Sequence, residues 1–96
     1  MIKHIVMWKL KDENKEENAL KIKKDLEALK SEISEIKEIE VGIDVNKSEA
    51  AYDVVLYSTF DSQEDLDNYQ VHPKHKEAGV FIRQVVSSRV VVDYEV

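Results

Sequence analysis

There is no cysteine in the 96 residues, which excludes a disulfide framework, a thiolate metal site and a cysteine nucleophile. Glycine occurs twice and proline once, so turn punctuation is sparse and hydrophobic periodicity has to carry the reading. So few glycines cannot build a glycine-rich phosphate loop. Ser58, Ser87 and Ser88 lack the glycine-flanked elbow of a serine nucleophile. Long apolar runs are also missing: Val80–Val86 and Val90–Val92 are far too short to cross a bilayer. No leader segment is visible before the first strand-like pattern, so the expected compartment is the cytoplasm, with no membrane partner. Positive charge is in deficit, 14 Lys and Arg against 20 Asp and Glu, for a net charge of -6. A field of that sign, with no basic stripe to reverse it locally, excludes nucleic acid as an expected partner.

What is present fits one small domain spanning residues 1–96. The apolar fraction of 43% argues against disorder, and the charged fraction of 35% means heavily charged outer faces. A chain this short buries a modest share of its surface, and oligomerisation is a common remedy.

Ile2–Leu10 reads as a strand with Ile2, His4, Val6, Trp8 and Leu10 on one face and Lys3, Ile5, Met7 and Lys9 on the other. Acid residues over Asp12–Glu17 then suit a helix start. Ala19, Ile22, Leu26, Leu29 and Ile33 recur at spacings of three and four and make one apolar stripe, with Ile33 entering the exit loop. The rest of that helix is a solvated Lys/Glu face on which Glu17 and Lys21 are spaced to pair. Ile39–Val45 alternates cleanly, Asn46–Ala50 reads as a hairpin turn, and Tyr52–Phe60 is the partner strand. Ser62 followed by Asp65 resembles a capping box opening a short helix with Leu66 and Tyr69 inward. His72-Pro73 breaks it, and Pro73 suits the first turn of a new helix with Ala78, Phe81, Ile82 and Val85 as its stripe. Arg89–Val96 closes the chain as a last strand.

The order β-α-β-β-α-β predicts an α+β, ferredoxin-like fold: a four-stranded antiparallel sheet with helices on one face. The helices cover only one face, so Ile5 and Met7 would face nothing. A second copy packed sheet against sheet is the expected cover, giving a homodimer closed into an α/β barrel.

Three segments add a resemblance. Ile2–Leu10 with its histidine, Glu40-Val41-Gly42, and Asn68–His75 with its tyrosine followed by His-Pro-x-His together resemble the stress-responsive A/B barrel (Dabb) family over nearly the whole chain. The resemblance implies a dimeric α/β barrel of two ferredoxin-like subunits. A plant branch of that family is similar to polyketide cyclases, which close a ring by intramolecular aldol condensation without metal or organic cofactor. Carried over by position, the residues lining the cavity of that branch are His4, Tyr69 and His75. Where the branch is aromatic along the cavity helix, this chain has Ala19, Leu20 and Ile22, a departure that speaks against a polyketide substrate. Val6, Trp8 and Ile22 are the expected apolar cavity walls.

Each candidate has two readings. His4, among Ile2, Val6 and Trp8, is either a hydrogen-bonded core histidine or a general base kept neutral by a dry pocket. His75 continues the buried stripe of Ala78 and Ile82. Tyr69 is either an amphipathic core residue or a hydrogen-bond donor to a substrate carbonyl or enolate oxygen. His72 is expected to cap the last helix. His4, His72 and His75 would be the ligands of a metal site, but His72 falls outside the helix and no carboxylate is placed inward by the pattern; no metal or cofactor is therefore expected. Two function classes remain: a cofactor-independent acid–base enzyme acting on a small apolar carbonyl compound, or a non-catalytic dimeric stress or ligand-binding protein. The monooxygenases of the same barrel fit the fold without a shared motif.

Overall fold

Alternation along the first strand places Ile2, His4, Val6, Trp8 and Leu10 on one side, and all five are buried. In the computed structural model, which describes Met1–Val96, this strand is β1 (Ile2–Leu10). It is followed by α1 (Lys15–Glu27), β2 (Glu38–Ile43), β3 (Val54–Phe60), α2 (Gln63–Val71), α3 (Pro73–Val85) and β4 (Val86–Glu95). The strands form one antiparallel sheet in the order β2-β3-β1-β4. This is the ferredoxin-like arrangement expected from the element order, with the second helix divided at His72-Pro73.

The apolar stripe of α1 settles on that sheet. Ala19, Ile22 and Leu26 are buried on the helix, Leu29 in the single 3-10 turn Ala28–Ser31, and Ile33 and Ile36 in the loop beyond. They join Val41, Val54, Leu56 and Phe60 in one core. The outward face of α1 pairs differently from the expected Glu17–Lys21 contact. Lys21 bonds Asp25 at 2.9 Å and lies 4.9 Å from the centre of the Phe81 ring. The helix also seals the β2 edge. The Glu27 carboxylate accepts the Val41 N–H at 3.0 Å, and the Lys23 ammonium donates to the Val41 carbonyl at 2.7 Å. Backbone groups of an edge strand are thereby taken up within the chain. The Lys23 ammonium and then the Val41 N–H hold the Glu27 carboxyl below its ordinary range.

Three strand boundaries differ from the periodicity. β2 stops at Ile43, and Val45 is 92% exposed. The Asp44 carboxylate accepts the N–H groups of Asn46 and Lys47 at 3.0 and 2.8 Å, turning the chain out of the ladder, with Lys47 at φ 63°. β3 accordingly begins at Val54 instead of Tyr52. β4 begins at Val86, ahead of Arg89, because α3 runs straight into it. Val86 caps the helix in extended backbone and already pairs with Leu10.

The second face of the sheet has no helix over it. Ile5 and Met7 lie there beside Val92 and Val90, their ladder partners, and together they form a shallow apolar groove. No helix of the chain is long and apolar enough to cross a membrane.

Candidate functional site

The site grows out of the break between α2 and α3. Ser62 caps α2, its Oγ accepting the Asp65 N–H at 3.2 Å. That fixes the helix so that Leu66 and Tyr69 point inward, both with 0% exposure. Pro73 forces His72 into extended backbone, φ -64° and ψ 136°. His72 Nδ1 then accepts the Lys74 N–H at 3.1 Å and starts α3, as the sequence indicated. His72 is spent on the cap, and no three His, Asp or Glu side chains are grouped as a metal-ligand set. Three residues on, the His75 ring returns to the end of α2. Its Nδ1 lies 3.1 Å from the Gln70 carbonyl oxygen. A carbonyl only accepts, so Nδ1 carries the proton and Nε2 keeps its lone pair.

His4 comes from β1, and β4 supplies its partner. The register sets His4 opposite Asp93, and the His4 Nδ1 donates to the Asp93 carboxylate at 2.5 Å. The imidazole is sealed while the carboxylate is about one-third exposed. A charge-assisted bond of this kind fixes both tautomer and ring plane. The expectation that no carboxylate is aimed at the histidines is therefore wrong.

Tyr69 joins the two imidazoles. Its ring centre lies 4.5 Å from that of His75, 6.2 Å from that of His4 and 5.0 Å from that of Phe60. Its buried hydroxyl has no hydrogen-bond partner in the protein. Burial pushes the phenol pKa above its ordinary value of 10.0, so the group stays a proton donor. Burial lowers the His75 pKa below 6.5, opposed by the Gln70 carbonyl and reinforced by His4, Arg89 and Arg83. His75 is thus held neutral near pH 7, with a free lone pair.

Beside these rings lies an open pocket of about 270 Å³ between β1, α3 and the start of β4. His4, Val6 and Trp8 form its floor, Leu26 and Leu56 its inner wall, and His75, Gly79, Ile82 and Arg83 its α3 side, with Val86 and Arg89 at the rim. Of the residues expected at a cavity, His4, His75, Val6 and Trp8 line this pocket. Ile22 does not: it is fully buried in the core, and Leu26, one turn along α1, takes the wall position. Tyr69 sits behind His75, outside the lining. Asp93, Arg83, Arg89 and Gly79 were missed by sequence reasoning. Asp93 could have been singled out because it interrupts the apolar run Val90–Val92, but only the β1–β4 register reveals its partner.

A model of the stress responsive A/B barrel domain matches residues 2–96. The chain belongs to the stress responsive A/B barrel family. Olivetolic acid cyclase of Cannabis sativa is 30% identical over 95 residues, covering 97% of this chain and 94% of the cyclase. Among solved structures, a dimeric ferredoxin-like protein of unknown function from Bacteroides fragilis superposes with a TM-score of 0.91. It is 39% identical, with 99% of this chain and 95% of that one covered. The hydroxynitrile lyase of Passiflora edulis, 25% identical, superposes with a TM-score of 0.85 over 97% of this chain and 90% of its own. Two named enzymes of different chemistry thus share the A/B barrel fold with this chain. The fold is common ground, and the reaction belongs to the site.

Proposed function

We propose that the chain is a homodimeric, cofactor-independent acid–base enzyme of the cytoplasm, acting on a small, largely apolar carbonyl compound. The observation that carries this reading is the orphaned, buried hydroxyl of Tyr69, whose ring neighbours both imidazoles beside an open pocket. A packing role would be filled better by phenylalanine, because an unsatisfied buried hydroxyl costs about 1–3 kcal/mol. In the proposed reaction His75 Nε2 removes a proton α to the substrate carbonyl. Tyr69 donates to the oxygen on which negative charge develops as that oxygen enters between the rings. The His75 imidazolium so formed returns that proton at the new position, while His4, its ring fixed by Asp93, walls the pocket beside it.

That a cyclase and a hydroxynitrile lyase are among the similar proteins supports an enzymatic reading of the site. Dimeric relatives and the bare face of Ile5, Met7, Val90 and Val92 support a homodimer joined through that face, burying more than about 1,000 Å². One observation favours the non-catalytic alternative, a dimeric ligand-binding protein: each imidazole Nδ1 already has an intrachain partner.

The deciding experiment is exchange of α-protons for deuterium in small ketones, followed by NMR in D2O. The wild type should accelerate exchange in at least one ketone of a panel, and His75→Gln should lose about 10²–10⁴-fold of it. A folded wild type that exchanges none of them would reject the enzyme reading.

A further inference from the structure

The cationic residues of this chain are unevenly chosen. Lysine supplies all but two of the 14 positive side chains, and the two arginines, Arg83 and Arg89, both line the pocket of His4 and His75. They come from different elements, Arg83 from α3 and Arg89 from β4. Acidic groups outnumber basic ones by six, the difference between 20 and 14, yet neither arginine forms a salt bridge or a side-chain hydrogen bond, whereas five lysines are ion-paired. Asp93, the nearest acid of the site by sequence, is occupied by His4.

Gly79 adds a second, independent observation. It lies in the interior of α3, where glycine is a poor helix former. A Cβ there would stand 2.9 Å from the Nη1 of Arg83 and 3.8 Å from its Cζ. The Arg83 guanidinium therefore folds back over Gly79, one helical turn toward His75. Glycine makes room for that posture, which brings the cation to about 6 Å along the axis from the His75 turn.

Guanidinium differs from ammonium in presenting a planar fork of N–H donors that matches a carboxylate. We propose that Arg83 and Arg89 form an anion subsite at the pocket rim that takes the carboxylate of the substrate, so that the substrate class is a small oxo acid. The carboxylate sits on the two guanidinium groups, and the carbon chain runs past Gly79 and Ile82 so that the carbonyl lies by His75. This rests on the reading of the pocket as a substrate site and narrows it. The arginines are positioning residues for the substrate and take no part in the proton transfer.

The test uses the purified protein, two probes and NMR titration of the Gly79 amide and the His75 ring protons. The probes are 4-oxopentanoate and its methyl ester, alike in carbon skeleton but for the ester methyl, and different in charge. The acid should bind at least about 10-fold more tightly than the ester, since hydrogen bonds to charged groups exceed neutral ones. Arg83→Gln and Arg89→Gln should each erase most of that preference, weakening the acid far more than the ester. Gly79→Ala, which meets only the flexible end of Arg83, should reduce acid binding with no fall in Tm. Equal affinity for acid and ester in the wild type would overturn the anion subsite and leave the pocket reading standing. So would variants that weaken both probes alike, the mark of a packing role. Failure of both probes to perturb either signal would overturn the subsite and count against the pocket reading too, which the deuterium exchange then judges separately.

Discussion

β3 and β4 flank β1 on its two sides, and the chain treats them very differently. Each has four residues or more of strongly β-favouring type. β3 turns Val54, Leu56, Ser58 and Phe60 toward the helices, and all of them are buried. β4 turns Arg89, Val91 and Asp93 toward the same side and Val90, Val92 and Tyr94 to the other, and every one is exposed. The apolar four among them are 43% to 54% exposed. β3 is finished inside one chain by the core it shares with α1, the loop after it and α2, whose Tyr69 packs on Phe60. β4 has the composition of a core strand with no cover on either face. The difference marks the two places this fold leaves open: the helix-side gap at β4 leaves the pocket open, and the bare side leaves a face for a second copy.

Truncation on the finished side should break the comparison most severely. Phe60→Ala removes a fully buried ring that packs on Tyr69 and should cost about 3–5 kcal/mol, read from urea or thermal unfolding. A loss below about 1 kcal/mol would mean that β3 is no better packed than β4.

On the bare side the effect should fall on assembly. Val92→Asp places a charge opposite Ile5, and a desolvated unpaired charge in an interface is strongly unfavourable. Sedimentation should show a dimer for the wild type at micromolar concentration and a monomer for the variant. A wild type that sediments as a stable monomer sinks the homodimer.

At the pocket, Tyr69→Phe should separate stability from function. Removing the unpartnered hydroxyl should leave stability unchanged or raise it by about 1–3 kcal/mol, while α-proton exchange in the responsive ketone falls. A variant that is less stable and equally active would make Tyr69 a structural residue.

The smallest effect expected is on pH dependence. The folded-state pKa of His75 is depressed below 6.5, so the unfolded chain binds the proton more readily between that lowered value and 6.5. The linked stability is fully present above about 6.5 and is lost as pH falls through the window below it. The Tm should therefore decline on acidification from pH 7 more steeply in the wild type than in His75→Gln. Parallel curves would show that burial does not hold this imidazole neutral.

Much of the architecture was legible before any coordinates. The period-2 face of β1, the stripe of α1 and the Ser62 and His72-Pro73 caps all depend on neighbours in sequence, where local geometry dictates the outcome. Strand ends were less legible, because the Asp44 side chain competes with the ladder for backbone N–H groups. The site divided the same way. His4 and His75 could be placed on inward faces by spacing alone, whereas Ile22 and Leu26 share one stripe, and only the crossing of α1 over the sheet decides which of them meets the pocket.

By itself, then, the sequence determined the element order and the inward faces, since periodicity and capping are local properties of the chain, and its resemblance to a known family singled out the three candidate side chains. Tertiary structure alone decided what those side chains meet. The β1–β4 register joined His4 to Asp93 across 89 positions, and the return of α3 against β4 set both arginines on one pocket. Contacts at that separation depend on strand order and register, which no local pattern encodes.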